Sequence, residues 1–429
     1  MDAVVLIGMV AVLLWSLVSH RVERWGVAGP AGLLVLGAVS VVWDVEGFAG
    51  VIDRPASEKV VEVILAVLLF VDATEVKGGI FGNEGRVTLR LVLIALPLSL
   101  LLAAGAAALL LPMTLPLVAI LIACIIMPTD FAPAAKILRM RHVPDRVRQI
   151  LNVESGYNDG LVSPLFGMAL PAAVVWSAFE HAPDGVEPGE EELVARVEQF
   201  MEAFLNAVPA AVVAILIGVA LGFGVGVLVR IGRRHAFIAD EGVRFVMALL
   251  PLVAYGISVI PMLNANGFVA AFVAGLAYRS ARTRGEERPA IAHDELVLVE
   301  EVGTLASSFV WFVLGGAAVL AFASGMSWQI ILLALLALTV LRVAPVYLSL
   351  MGSTLGRRDR LLVGALGPRG TASIVFGLLA YNALPDDEGV VVLMVMVATV
   401  VGSILLHGIL APLLLPRVSA REVRAPLPH

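Results

Sequence analysis

The chain is predicted to be an all-α membrane protein with thirteen transmembrane helices. Apolar residues make up 60% of it and charged residues only 15%, and the mean hydropathy is +0.97. The apolar residues also fall in runs of bilayer-spanning length, about 20 residues each, whereas soluble chains carry about 25% charged residues. A lone cysteine, Cys124, excludes a disulfide framework and any Cys-based metal cluster; inside an apolar run it reads as a small core residue.

The first run, 3–18, has no basic stretch before it and no small-residue cleavage site after it, so it reads as a retained span. Further runs lie at 27–43, 60–72, 91–111, 115–138, 149–175 and 201–229, each bounded by charged or turn-rich breaks. The last six are 243–260, 265–278, 295–321, 328–352, 361–381 and 389–416. Pro261 and Asn264 leave a very short turn, so 243–278 could also be divided differently. The stretch 176–200 is acidic and reads as a solvated hairpin or a short amphipathic segment. The tail after Pro416 is too short to fold, so 1–429 is expected to be one integral membrane domain without a large regulatory attachment.

Cytoplasmic loops are enriched in Lys and Arg. Alternate loops here hold twenty-two of them, from Arg21 and Arg24 through Arg139, Arg141, Arg146 and Arg148 to Arg417, Arg421 and Arg424. The other loops hold Arg54, Lys59 and Arg196, with acidic runs such as Glu190-Glu191-Glu192 and Asp386-Asp387-Glu388. This alternation predicts an inner-membrane protein with its N-terminus outside and its C-terminus in the cytoplasm.

Few ionisable groups remain at depth: Asp130, Lys136, Glu154, Asp159, Arg342 and Arg369, with Asp72 and Arg244 near span ends. Each is costly if it faces lipid, so each must face protein, water or a partner. At about 1.5 Å per residue, Asp159 lies roughly 15 Å from the cytoplasmic start of its span, Asp130 and Arg369 roughly 12 Å, and Arg342 roughly 16 Å. Four charges from four spans thus converge near one level. Lys136 reads as snorkelling to the cytoplasm. Asp72 either caps its helix or lines a funnel. His142, His235 and His293 read as solvated, and His407 as a hydrogen-bonded structural residue.

Two spans are broken at that level. Met127-Pro128-Thr129-Asp130-Phe131-Ala132-Pro133 sets prolines around an acid, and Gly367-Pro368-Arg369-Gly370 sets glycines and a proline around a base. Proline removes a backbone donor and glycine tolerates unwound backbone. Each break falls in the middle member of a three-span group, 91–175 and 328–416. Interruptions at corresponding positions point to a midplane ion site in inverted-repeat transporters. Half-helix ends would then meet with opposite partial charges, which Asp130 and Arg369 are suited to neutralise.

On the sixth span, Ser155 and Asp159 are spaced i,i+4 and share a face, as do Glu154 and Asn158 about 100° away. Ser155, Asp159, Thr129 and Asp130 would offer hard oxygen ligands of the kind that suits a small alkali cation. Glu154 needs a partner at depth, and Arg342 is the natural one. Burial penalises the bare Asp159 anion, and a proton or a cation relieves that penalty. The two would compete for one carboxylate, and with Asn158 neutral the exchange would be electroneutral. No cofactor is called for, and no nucleic acid partner. The rival readings are a conductive cation channel, which lacks the expected symmetric rings, and an intramembrane aspartyl protease, whose motifs these aspartates do not match. A symporter for an organic anion is disfavoured by the clustered acids.

Glu154-Ser155-Gly156-Tyr157-Asn158-Asp159 resembles the Glu-Ser-Gly-x-Asn-Asp signature of the electroneutral branch of the cation:proton antiporters, the NhaP- and NHE-type exchangers. Thr129-Asp130, Leu69-Phe70-Val71-Asp72-Ala73, the segment Asn266–Gly275, Leu341-Arg342 and Gly367-Pro368-Arg369-Gly370 resemble its other recurrent segments. The resemblance implies an NhaA-like fold, homodimers and elevator-like movement of a core. The core and its inverted repeats would take 60–175 and 295–416, and dimerisation or scaffold helices 1–59 and 201–278. It implies Asp159, Ser155 and the Thr129 carbonyl as Na+ (or Li+, K+) ligands, supported by Glu154 and Asn158. The family's usual proline after Thr-Asp is Phe131 here, with Pro133 two residues later.

Overall fold

The computed structural model describes residues 3–25, 27–52, 54–75, 84–111, 115–134, 137–138, 140, 142–180, 190–284 and 291–413. Lys136 and the basic residues Lys77, Arg139, Arg141, Arg288, Arg417, Arg421 and Arg424 lie outside them. The described residues are helical and contain no strand. In order the helices are α1 (Ala3–Arg24), α2 (Gly29–Val41), α3 (Val45–Ile52), α4 (Pro55–Glu75), α5 (Gly85–Leu110), α6 (Pro116–Ile126) and α7 (Asp145–Glu180). Then follow α8 (Glu190–Arg234), α9 (Asp240–Ser258), α10 (Gly267–Arg282), α11 (His293–Ala323), α12 (Trp328–Ser349), α13 (Arg357–Ala365), α14 (Thr371–Ala383) and α15 (Asp386–Ser403).

Among the described residues each expected apolar run overlaps helix, with 115–138 and 361–381 interrupted at 127–131 and 366–370. Among the described residues, eight helices are long and apolar enough to cross a bilayer unaided, and α2 with α3 would make a ninth if that bent pair is one span. The helices α6 and α14 are apolar but shorter, because each is one half of a broken element. Local signals set several starts. Pro30, Pro116 and Pro55 stand in first turns, where a missing N–H costs nothing. Asn266 caps α10 by accepting from the Phe268 and Val269 amides, both at 3.1 Å.

The structure differs from the sequence expectation in two loops. Residues 45–52, expected in an external loop, form α3, which turns back from α2 by 116° and buries Phe48 against Gly316. Asp44 accepts the Gly47 amide at 2.9 Å and so starts that helix. The acidic stretch before 201 is not a separate hairpin in its described part, since residues 190–200 extend α8 without a break.

The centre is built on α6 and α14, in which nearly every residue is buried. They pack on each other and on α15, with α6 also against α5 and α7 and α14 also against α4 and α11. A second group joins α8, α10 and α9. Along α8, Gly218, Gly222 and Gly226 meet the carbonyls of Ala270, Ala274 and Tyr278 so closely that a Cβ would collide, the small-residue contact that lets membrane helices approach backbone to backbone. The helices α4 and α11 pack most extensively on α10 and α2, respectively, and also reach the central group.

Candidate functional site

Two helices stop at the molecular centre. After Ile126 the chain runs through Met127-Pro128-Thr129-Asp130 to a single 3-10 turn at Ala132–Ala134. After Ala365 it runs through Leu366-Gly367-Pro368-Arg369-Gly370 before α14 begins. The two unwound stretches are joined by the Asp130 amide, which donates to the Pro368 carbonyl at 2.9 Å.

The Asp130 carboxylate serves helix ends. Oδ1 accepts from the Ala132 amide and Oδ2 from the Thr371 amide, both at 2.7 Å. Thr371 opens α14, where amides lack intrahelical partners and the dipole is positive. Arg369, fully buried, does the converse. Its Nε donates to the Ile126 carbonyl, Nη1 to the Gly367 carbonyl and Nη2 to the Ala337 carbonyl at 3.1 Å. Ile126 ends α6, and Ala337 precedes the break of α12 at Thr339, so one guanidinium satisfies carbonyls left open at two helix termini. Glycine is required beside both charges: a Cβ at 367 would strike the Arg342 guanidinium, and one at 370 the Asp130 carboxylate.

The helix α7 passes beside this crossing. Ser155 Oγ donates to the Thr129 carbonyl and Asn158 Nδ2 donates to Thr129 Oγ1, both at 2.7 Å. Thr129 is thereby tied to α7 through its backbone and its side chain. Asp159, 4% exposed, has an Oδ1 that finds no hydrogen-bond donor among the described residues, and the same holds for Asn158 Oδ1. The charges that act on Asp159 are two acids, Asp130 and Asp72, and one base, Arg369. A small cation at Asp159 therefore feels the field of further carboxylates. One turn before Asp159, on the arginine-rich side, a cavity of about 200 Å³ is lined by Asp72, Asp130, Phe131, Ala132, Asn152, Ser155 and Gly156. Asp72 thus lines a cavity.

Glu154 is in a different situation. Arg342 grips both of its oxygens, through Nη1 at 2.9 Å and Nη2 at 3.1 Å, and Nη2 also reaches the Val363 carbonyl at 3.3 Å. Both side chains are 4% exposed. A fork-on-fork pair of this kind has fixed geometry and leaves Glu154 no free oxygen.

Sequence reasoning missed other buried polar groups. Glu295 is buried and bonded to Arg282 Nη2 at 2.7 Å, with Arg233 Nη1 at 3.6 Å and the Tyr278 hydroxyl at 3.4 Å. Arg279 is buried too, inside α10 and just beyond the run 265–278 that the sequence predicts. The signal was present, since Glu295, Glu300 and Glu301 open the run 295–321, but they were not counted among the charges at depth. His407 is buried and hydrogen-bonded to Ser403 and Ala365.

The family model described as sodium/hydrogen exchanger, transmembrane, matches residues 8–417. The sodium proton antiporter MjNhaP1 from Methanocaldococcus jannaschii at pH 8 is similar in structure, with a TM-score of 0.75 at 17% identity over 96% of this chain and 98% of that one. A structure of the same antiporter from an electron-microscopy map gives a TM-score of 0.67 at 18% identity over the full length of both chains. A search of curated proteins finds no match.

Proposed function

Since the chain belongs to the transmembrane sodium/hydrogen exchanger family, and is accordingly a multi-pass secondary antiporter and not an enzyme, we propose that it exchanges Na+ for H+ at Asp159. The observation that carries this reading is the carboxylate itself, buried one turn from a cavity lined by Ser155 and Gly156 and with an oxygen to which no described residue donates. An isolated buried charge of this kind is costly, and a bound proton or cation removes the cost. Either occupant suffices, and each displaces the other. The Ser155 hydroxyl, the Thr129 carbonyl and the Asp159 carboxylate supply the oxygens for the cation, while Asn158 and Glu154 hold the ligands in place. With Asn158 neutral and Glu154 permanently paired, only one carboxylate exchanges its partner, so transport is one-for-one and electroneutral.

The same reading carries thirteen crossings, an external N-terminus and a cytoplasmic C-terminus in the cell membrane. It also carries a homodimer in which 1–59 and 201–278 form the scaffold, while the core at 60–175 and 295–416 moves.

The test is exchange in proteoliposomes with an internal pH dye, challenged with NaCl, LiCl and KCl in turn. Wild type is expected to move protons on addition of Na+ without generating a membrane potential, and Asp159→Asn to abolish the signal. Exchange in Asp159→Asn equal to wild type would refute the site. A potential generated by wild type would refute the stoichiometry, and a response to KCl alone would reassign the substrate.

A further inference from the structure

The helix α15 runs on into a π-helical segment, Ile404–Leu410, before α geometry returns at 411–413. Such a turn holds an extra residue, and turns of this type recur at functional sites. Here it carries His407 to the second break, beside Ser403, the last residue of α15 before it. Ser403 Oγ accepts the Arg369 amide at 2.7 Å. The His407 ring lies between Ser403 Oγ, 3.3 Å from Nδ1, and the Ala365 carbonyl, 3.1 Å from Nε2.

One arrangement of protons satisfies every atom. The Arg369 N–H donates to Ser403 Oγ, the Ser403 hydroxyl donates to Nδ1, and Nε2–H donates to the Ala365 carbonyl. Ala365 is the last residue of α13 and Arg369 lies just before α14, so this relay spans the unwound stretch from end to end. The π segment also touches the other break, where a Cβ on Gly408 would come within 3.2 Å of the Pro133 carbonyl. Ser403 and His407 are both buried, where an unpaired backbone group is costly.

We propose that Ser403 and His407 are positioning residues for ion exchange. They hold Leu366–Gly370 in place, and with it the Arg369 guanidinium that contributes to the field at Asp159. Neither is hydrogen-bonded to Asp159, and their effect passes through the backbone of the break. This inference rests on Asp159 being the exchange site.

The experiment is initial-rate exchange against Na+ concentration in proteoliposomes, normalised to monodisperse protein. Ser403→Ala and His407→Ala are each expected to raise the apparent KM for Na+ about tenfold, the equivalent of one buried hydrogen bond lost. Vmax is expected to stay within about twofold of wild type, because the ion ligands are untouched. His407→Gln retains an N–H for Ala365 and an oxygen for Ser403, and is expected to return KM to within about threefold of wild type. Should His407→Ala fail to yield folded protein, Ser403→Ala and His407→Gln carry the test. An unchanged KM in Ser403→Ala overturns the proposal, as does a KM in His407→Gln raised as far as in His407→Ala. Asp159→Asn is measured alongside. Normal exchange in that variant defeats the exchange site, whereas loss of exchange there with unmoved KM values in the other variants defeats only the positioning role.

Discussion

Glu295 and Asp159 are both carboxylates taken out of water inside the membrane helices, yet their surroundings are opposite. Around Glu295 the protein gathers Arg282, Arg233 and a tyrosine hydroxyl, and the cluster ties α8, α10 and α11 together. Around Asp159 it gathers further acids, a hydroxyl and a carbonyl, and no described residue donates to one of its oxygens. Glu154, on the same helix as Asp159, belongs with Glu295, since its guanidinium partner takes both oxygens. On the exchange proposed at Asp159, burial alone does not set that carboxylate apart. The distinguishing property is an oxygen to which no described residue donates.

If that contrast is right, removing a partner from a paired acid damages stability, while removing a ligand near Asp159 damages affinity. The largest effect is expected for Arg342→Ala, which strands Glu154 and costs about 3–5 kcal/mol, read as a fall in melting temperature and in folded yield. Arg282→Ala leaves Glu295 with its more distant arginine and is expected to cost about 2 kcal/mol, with the Na+ affinity of the surviving protein unchanged. An altered affinity there would break the contrast. Ser155→Ala should invert the pattern, raising the apparent KM for Na+ about fivefold, equivalent to about 1 kcal/mol, with little change in melting temperature.

The smallest effect concerns a pair outside the spans. Glu84 accepts Arg146 Nε at 2.6 Å and Nη2 at 2.9 Å, and this bonding holds its carboxyl below the ordinary glutamate value. A depressed acid stabilises the fold above its unfolded value, and that contribution is lost as the pH falls through the folded value. Glu84→Gln is therefore expected to lower the melting temperature by about 1–2 °C at neutral pH. The difference should fade as the pH falls below the ordinary glutamate value, about 4.3, and on through the lower folded value.

Much of this site was legible in the sequence, because it rests on residue types that are expensive in lipid. Asp130, Asp159, Glu154, Arg342 and Arg369 stand out as charges inside apolar runs, and Pro128 and Pro368 mark the two breaks. Depth follows from counting along a helix, which is why Arg342 could be paired with Glu154 in advance. Direction around the helix axis was not legible. How His407 comes to lie between Ser403 and Ala365 depends on a π turn that no residue spelling announces, and the tie from Asn158 to Thr129 depends on how an unwound stretch lies against α7. The fold of 45–52 escaped because a short helix with one buried aromatic, Phe48, looks like loop when its neighbours are glycine, aspartate and glutamate.

The seam of Gly218, Gly222 and Gly226 has a mechanical consequence. With peptide backbones in direct touch over two turns, α8 and α10 have no cushion of side chains to shear, so they behave as a single stiff beam. Displacement of either one carries the other along. On the exchange proposed at Asp159, motion that opens it first to one side and then to the other is expected to slide past this girder and leave it straight, and a bulky residue at Gly222 to jam the machine by prying the beam apart, far from any ion.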